Sequence, residues 1–324
     1  MHPTLRALSA LLCLTLQAPT VTEYPLPRAE AFPHDVAVAK DGSVWFTDQR
    51  NSFIGRLDPA TGHVTDLATP TLASGPHGII VAPDGAVWYT GNAKGLIGRL
   101  DPATGTIKEF PMPAGARDPH TPVYHGGMIW FTSQGENAYG RLDPATGDVK
   151  VYPLPTGGAR PYGLVNGPSD RLWMAELGTN KIGRIDPANG ALVEFTLPAS
   201  GARPRRLAVD PQGIVWYSDY ARGFLGRLDP LTGKVREFAS PGGSSSSPYG
   251  IAIGADGRIW YDESGTSTMV AFDPATERMQ TVAIPTRGAI VRNMSVDSAR
   301  GRVWLALSGV KRLGAIATAA NAAR

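Results

Sequence analysis

Ionisable and aromatic side chains recur at one position of this sequence, directly after the residue that opens each of seven similar segments, which is a proline in six of them. The position holds three imidazoles, two phenols and two guanidiniums. In chain order the residues are His34, His77, His120, Tyr162, Arg205, Tyr249 and Arg292, of which the last follows Val291 in place of proline. Imidazoles transfer protons near neutral pH, and guanidiniums bind anions or carbonyl oxygens, so this set could bind a ligand and act on it.

A second variable position lies three residues after each tryptophan. Four of its members are carboxylates, and in chain order it reads Asp48, Gly91, Ser133, Glu176, Asp219, Glu263 and Leu307. The framework positions barely change between segments whereas these two sets vary, which is typical of a site placed on a regular scaffold. The alternative is that histidine or tyrosine after proline is only a strand-entry preference, with the rings packed around a water-filled channel.

The elements that must position these residues follow from the spacing of the tryptophans. All seven recur at intervals of 42 to 44 residues: Trp45, Trp88, Trp130, Trp173, Trp216, Trp260 and Trp304. Each segment contains four strand-like runs separated by glycine-containing turns, for example 77–83, 86–90, 96–100 and 106–112. The sequence therefore predicts an all-β fold, a seven-bladed β-propeller of four-stranded blades.

The two ends of the chain are expected to complete one blade together. Residues 21–27 (VTEYPLP) resemble the fourth strand of the other segments, yet they precede the first segment, and the last segment stops after its third strand near residues 313–317. We expect the N-terminal strand to close the last blade, because an open ring would leave two unpaired strand edges. A single propeller is thus predicted over residues 21–317, followed by a tail at 318–324.

Strand polarity predicts that both variable sets lie on one face and surround a central pocket, because the start of strand one and the end of strand two meet at the same end of a blade. We expect a small-molecule or peptide ligand there. The predicted ligand-binding residues are His34, Tyr162, Arg205, Tyr249, Arg292, Asp48, Glu176, Asp219 and Glu263.

Composition and the N-terminus restrict the location and the partners. The net charge of +3 comes with no basic run, so nucleic acid is not expected as a partner. Arginines in the repeated Gly-Arg-Leu/Ile-Asp-Pro segment are expected to be framework: Arg56, Arg99, Arg141, Arg184 and Arg227.

Residues 1–18 have the pattern of a secretory signal that is too short to span a membrane, and the only cysteine, Cys13, would leave with it. We therefore expect a secreted or periplasmic monomer without disulfides.

The segments that begin at Pro76 and Pro161, with linkers of the VxEYPLP type, closely resemble the virginiamycin B lyase (streptogramin lyase) family of seven-bladed propellers. The resemblance covers residues 21 to 317. It implies eliminative C–O cleavage of a cyclic depsipeptide ester, in which histidines and carboxylates act with a divalent metal, usually Mg²⁺.

The catalytic positions that the resemblance implies differ in this chain. When the segments are aligned one for one with those of the family, Tyr249 replaces a histidine, Ile290-Val291-Arg292 replaces Glu-Pro-His, and Ser308 replaces a glutamate. A ring of similar blades has no intrinsic first blade, however, so the family's catalytic pattern can also be compared with other segments. Segments two and three then offer His77 with Asp118 and His120 as a relocated catalytic set.

Two functions therefore stay open: a lyase that uses this relocated set with a metal, and a non-catalytic propeller that binds a carbohydrate, peptide or envelope ligand. Lactone hydrolysis with a buried Ca²⁺ is disfavoured by the seven segments and by the lack of a convergent acidic set. Three histidines on adjacent blades resemble a zinc site, but we expect neighbouring inner strands to hold them too far apart to share an ion. The metal site is therefore unknown, and Mg²⁺ is an expectation from the resemblance alone.

Overall fold

The structure, a computed structural model, describes residues 19–318 as a ring of seven four-stranded antiparallel sheets. The predicted signal at 1–18, with Cys13, lies outside the described residues, as does the predicted tail beyond Thr318. None of the helices in the described part approaches the length and apolar character of a membrane-spanning segment. The predicted fold is confirmed.

The strands run from the channel outward in sequence order within each of the first six blades. The first blade contains β2 (Pro33–Val38), β3 (Val44–Asp48), β4 (Phe53–Leu57) and β5 (Val64–Ala68). The second contains β6 (Pro76–Val81), β7 (Val87–Gly91), β8 (Leu96–Leu100) and β9 (Ile107–Pro111). The third contains β10 (Pro119–His125), β11 (Met128–Ser133), β12 (Ala138–Leu142) and β13 (Val149–Pro153).

The remaining blades follow the same order until the last. The fourth contains β14 (Pro161–Gly167), β15 (Arg171–Glu176), β16 (Lys181–Asp186) and β17 (Ala191–Thr196). The fifth contains β18 (Pro204–Val209), β19 (Val215–Asp219), β20 (Phe224–Leu228) and β21 (Val235–Ala239). The sixth contains β22 (Pro248–Ile253), β23 (Ile259–Glu263), β24 (Thr268–Phe272) and β25 (Met279–Ala283). The seventh contains β26 (Val291–Asp297), β27 (Arg302–Leu307), β28 (Arg312–Ala317) and β1 (Val21–Pro25).

Short 3₁₀ turns are the only helices of the described part. They span Asn92–Lys94, Gly243–Ser245, Ser298–Arg300 and Ser308–Val310.

The N-terminal strand closes the ring as the sequence predicts. β1 pairs with β28 from Val21 opposite Ile316 to Pro25 opposite Arg312. Tyr24 packs on Trp304 with ring centres 5.3 Å apart. The outer strands of other blades make the same contact with their tryptophan, with ring centres 5.6–5.9 Å apart in the second, third and fourth blades. β1 is therefore a true fourth strand of the seventh blade.

A packing arrangement that recurs between blades explains the Gly-Arg pair in the third strand of the first five blades. In the first, second, third and fifth blades the glycine gives room to an aromatic ring of the second strand, as Gly55 does for Phe46, where any Cβ would overlap the ring. The arginine lies opposite the tryptophan, and its guanidinium is 5.5–6.0 Å from the ring centre in the first five blades. The framework interpretation of these arginines therefore agrees with their contacts. Apolar clusters between adjacent blades form the core.

Every innermost strand contains a bulge directly after its first residue. In the first blade Pro33 pairs with Asp48 but Val36 pairs with Phe46, so His34 and Asp35 share one partner, Thr47. The same register shift occurs in the other six blades. A bulge redirects side chains, and here it turns the two residues after the proline toward the channel.

Hydroxyl groups on the second strands link the bulges of adjacent blades. Thr47 Oγ1 accepts a hydrogen bond from the N–H of Asp35 (3.0 Å) and donates to the carbonyl oxygen of His77 in the next blade (2.8 Å). Thr90, Thr132 and Ser218 make the same pair of bonds. The backbone that carries the channel residues is thus fixed from both sides.

Candidate functional site

A cavity of about 580 Å³ opens at the ring axis, at the end where the first strands begin. Among residues 19–318 it is lined by five arginines, three histidines, three aromatic rings of other types and several neutral residues, and by no aspartate or glutamate. The lining residues are Phe32, His34, Gln49, Arg50, His77, Asn92, His120, Gln134, Arg160, Tyr162, Leu177, Arg203, Arg205, Tyr220, Ala221 and Arg292.

Six of the seven residues that follow the strand-opening position line this cavity: His34, His77, His120, Tyr162, Arg205 and Arg292. Tyr249 lies just behind the wall, where its hydroxyl bonds to that of Tyr162 and its ring lies 3.8 Å under the Arg205 guanidinium. The structure therefore brings this whole predicted set together.

The four predicted carboxylates lie at the same end of the blades but do not line the cavity, contrary to the expectation. Asp48 accepts hydrogen bonds from the N–H of Phe32 (3.0 Å), and Asp219 from that of Arg203 (3.1 Å). Each of these N–H groups precedes a strand-opening proline, which has no donor of its own to join the ladder. These carboxylates therefore fix the loops that enter strand one.

The other two carboxylates are held in similar places. Glu263 accepts bonds from the Ser240 hydroxyl (2.6 Å) and the N–H of Gly242 (2.8 Å). Glu176 is buried, and burial, with the nearby charge of Glu194, raises its pKa to about 7. Neither side chain reaches the central cavity.

The three histidines form a continuous row. The ring centres of His34 and His77 are 3.7 Å apart, as are those of His77 and His120, and the Tyr162 ring follows at 4.0 Å from His120. The expectation that neighbouring inner strands hold the imidazoles far apart is wrong, because the bulges turn the rings toward the narrow axis. Burial, reinforced by nearby charges that include Arg206 and Arg205, holds the pKa of each histidine well below its usual value. The row is therefore neutral at pH 7.

A buried ion pair lies beneath the histidine row. Arg206 donates to both oxygens of Asp35, at 2.8 and 3.2 Å, and so joins the fifth blade to the first across the channel. Both side chains also line a second cavity of about 300 Å³ on the far side. Burial raises the pKa of Asp35 to about 6 although Arg206 opposes the shift. Sequence reasoning missed this pair, which occupies the second position after the proline.

The arginines of the cavity wall have no carboxylate partner within residues 19–318. Arg205 lies over the rings of Tyr249 and Tyr220 (3.8 and 4.2 Å), and Arg292 donates to the Ser308 hydroxyl (3.1 Å). Arg50 lies 3.9 Å over Phe32. Aromatic faces and neutral oxygens therefore hold these cations, which leaves their positive charge uncompensated.

Asp118 does not orient His120. Its two oxygens accept hydrogen bonds from the Ser133 hydroxyl and the N–H of Gly135, and it does not line the cavity. His120 instead has its Nδ1 3.1 Å from the Thr121 hydroxyl. Of the relocated set, the structure thus brings His77 and His120 together and leaves Asp118 outside.

Other cavity residues were not predicted from the sequence. One group lies four residues after the tryptophan, one position beyond the carboxylates: Gln49, Asn92, Gln134, Leu177 and Tyr220. A second group directly precedes the strand-opening proline: Phe32, Arg160 and Arg203. Both positions vary between blades, and that variation is the signal that could have identified them.

The residues of the site do not fit the divalent cation that the resemblance implies. Within residues 19–318 one group of three possible ligands has its atoms within 4.8 Å of one another: His34, Asp35 and His77. It offers a single carboxylate, which already binds Arg206. Mg²⁺ prefers oxygen ligands and water, and three nearby guanidiniums would repel it.

Comparisons with known proteins agree with this fold. The model of the Virginiamycin B lyase family matches residues 13–144. A comparison with curated proteins found no match.

Solved streptogramin lyases match the whole ring. A streptogramin B lyase structure is 27% identical, with a TM-score of 0.85, covering 92% of this chain and 97% of the other. Virginiamycin B lyase from Staphylococcus aureus is 26% identical with the same TM-score, covering 92% and 99%. A catalytically inactive variant of that enzyme, solved with quinupristin, is 25% identical, also with a TM-score of 0.85 and coverages of 92% and 99%. The predicted resemblance is confirmed: this chain is a seven-bladed propeller similar to the virginiamycin B lyase family.

Proposed function

We propose that the protein binds an anionic ligand in its central cavity. The observation that carries the proposal is a wall to which the described part of the chain contributes five arginines and no acidic residue. Guanidiniums bind carboxylates and phosphates through paired hydrogen bonds, and such bonds are strengthened where water is partly excluded. An anion would supply the charge compensation that the described side chains do not.

The contacts of the aromatic rings favour an anion over a neutral sugar. Carbohydrates commonly stack on open aromatic faces, but Arg50 covers Phe32 at 3.9 Å and Arg205 covers Tyr220 at 4.2 Å. Each ring therefore presents a guanidinium to the ligand. A carbohydrate, peptide or envelope ligand would fit this wall where it carries carboxylate or phosphate groups.

We expect Arg205→Gln and Arg292→Gln each to weaken the binding of an acidic ligand about 10- to 100-fold, because each removes a charged hydrogen bond of about 1.5–3 kcal/mol. Isothermal titration with galacturonate, its oligomers and inorganic phosphate measures the change. Arg227→Gln is the matched control, because that guanidinium lies 6.0 Å from the Trp216 ring and does not line the cavity. Equal affinity in all three variants, or no binding of any of these anions by the wild-type protein, contradicts the proposal.

A second candidate function is the lyase activity that the resemblance implies. The observation in its favour is the contact between His77 and His120 on the cavity wall, since neutral imidazoles can accept a proton. The hydrogen bonds of Asp118 weigh against it.

If the relocated set is active, His120→Ala should lower turnover of a streptogramin B depsipeptide in the presence of Mg²⁺ by about 10²- to 10⁴-fold. His34→Ala should lower it much less. Mass spectrometry of the linear product gives both rates. No linear product from the wild-type protein, or equal rates in the two variants, would exclude the relocated set.

A further inference from the structure

The five arginines of the cavity wall lie in two groups on different blades. Arg50, which follows β3 of the first blade, and Arg292, in β26 of the seventh, form the first arginine cluster. Arg160, Arg203 and Arg205, which precede or belong to β14 and β18 of the fourth and fifth blades, form the second arginine cluster. The sixth blade separates the clusters on one side of the ring, and the second and third blades separate them on the other. The positive charge is therefore concentrated at two places on the wall.

The wall between the clusters is neutral within residues 19–318. The second and third blades contribute His77, Asn92, His120 and Gln134, and the sixth blade contributes no lining residue. Burial, with the charges of neighbouring groups, holds the pKa of His77 and His120 well below its usual value, so both imidazoles are uncharged at pH 7. A bound molecule would thus meet a cationic group at either end and neutral polar groups between them.

The first arginine cluster is built on one aromatic ring. The guanidiniums of Arg50 and Arg292 lie 3.9 and 5.3 Å from the centre of the Phe32 ring. Arg292 Nε donates to the Ser308 hydroxyl (3.1 Å), and within residues 19–318 the terminal nitrogens of both arginines make no hydrogen bond. Each guanidinium is therefore held in place, and its outer N–H groups can bind an anion.

The second arginine cluster is held on its own part of the wall. Arg203 Nη1 donates to the carbonyl oxygens of Ser200 (2.9 Å) and Ala202 (2.6 Å). Arg205 lies against the ring of Tyr220, whose backbone N–H bonds to the carbonyl oxygen of Arg203 (3.2 Å). A carboxylate binds one guanidinium through two parallel hydrogen bonds. Because the cations of the two clusters are fixed on separate blades, one carboxylate cannot compensate both.

We propose that the cavity selects a compact molecule with two anionic groups, one bound by each arginine cluster, and an uncharged spacer against the histidines. This inference rests on the proposed anion binding and specifies the class of its ligand. The spacer is short, because Arg205 and Arg292 lie 3.8 and 5.9 Å from the centre of the same Tyr249 ring. An α,ω-dicarboxylate with a few carbon atoms is the simplest member of this class.

Isothermal titration of the wild-type protein with the dicarboxylates from malonate to pimelate tests the proposal at one fixed ionic strength. Each diacid is compared with its half-amide, which has the same length but a single charge. We expect the tightest binding at one intermediate length, where the diacid should bind about 10- to 100-fold more tightly than its half-amide, because it makes a second set of charged hydrogen bonds. Sulfate carries two charges at one position and should bind more weakly than this diacid.

Variants of each cluster assign the two positions. Arg292→Gln and Arg205→Gln should each abolish the preference for the diacid over the half-amide, because either change removes one of the two positions. Arg50→Gln replaces an exposed side chain, so the fold should be unaffected, and it should weaken the same preference. Arg227→Gln is the matched control and should keep it, because Arg227 packs on Trp216 outside the cavity.

The outcomes separate this inference from the proposed function. Half-amides or sulfate that bind as tightly as the best diacid, or an affinity without an optimum in chain length, would overturn the selection of two anionic groups and leave anion binding intact. A preference that survives in both Arg292→Gln and Arg205→Gln would overturn the assignment to the two clusters. If no diacid, half-amide or inorganic anion binds at all, the proposed function itself is wrong.

Discussion

Replacing Arg206 by methionine is expected to lower the free energy of unfolding by about 3–5 kcal/mol at pH 7, because it leaves a buried carboxylate without its partner. Asp35 is 3% exposed, and the only other hydrogen-bond partner of its carboxylate within residues 19–318 is the neutral imidazole of His34. Its pKa, already about 6 in the native protein, should rise further. Urea unfolding of the variant and the wild-type protein measures the difference.

The loss of stability in Arg206→Met should depend on pH, and the direction of this dependence follows from the raised pKa of Asp35. A carboxyl whose folded-state pKa is raised above its unfolded value binds a proton more readily when folded, so it destabilises the fold as the pH rises through that window. The deficit of Arg206→Met should accordingly shrink as the pH falls toward about 6 and stay constant below that value, where Asp35 is protonated in both proteins.

Two variants control this prediction. Arg206→Met combined with Asp35→Leu removes both charges and should recover most of the lost stability. Arg236→Met breaks an exposed ion pair with Glu277 and should cost about 0–1 kcal/mol. A single Arg206→Met variant as stable as Arg236→Met would show that the pair across the channel does not hold the first and fifth blades together.

Removal of the N-terminal strand is expected to abolish cooperative folding. A chain that begins at Arg28 lacks β1, loses its hydrogen bonds to β28 and exposes the surface that Val21 and Leu26 cover. Each buried aliphatic side chain contributes about 1.5–3 kcal/mol and each hydrogen bond about 1 kcal/mol. The sum is comparable with the whole stability of a typical domain, about 5–15 kcal/mol.

Calorimetry of two truncated chains tests this expectation. The chain that begins at Pro19 keeps β1 and should unfold in one transition, whereas the chain that begins at Arg28 should unfold at a much lower temperature or aggregate through the open edge of β28. If both chains unfold at the same temperature, the closure contributes little to stability.

The fold could be predicted because the blades repeat much of the same packing. The tryptophan spacing, the Gly-Arg pair and the outer-strand aromatic each describe one contact, and the resemblance of residues 21–27 to the other outer strands indicates the closure. Strands β6 to β9 begin and end within two residues of the runs read from the sequence. The local residue pattern and the tertiary contacts agree at these positions, so the sequence is sufficient to predict the fold and the strand bounds.

The site was predictable only in part, because the bulge in the innermost strand is not visible in the residue pattern. Strict alternation turns only one of two successive residues toward the channel, whereas the register shift brings in both His34 and Asp35. The partner of Asp35 is 171 residues away. At the ends of the second strands, alternation also could not distinguish Asp48, which binds a loop, from Gln49, which lines the cavity.

The hydroxyl bridges between blades have a consequence for how such a ring can change. Thr47 bonds to the backbone N–H of Asp35 and to the backbone carbonyl of His77, so it makes no demand on the side chain at either position. A mutation after the strand-opening proline can therefore exchange imidazole, phenol or guanidinium without refolding the blade. The residues directly after the strand-opening position can therefore change independently of one another. A family of such propellers could acquire a new ligand by one substitution at a time while the strands and their pairing stay the same.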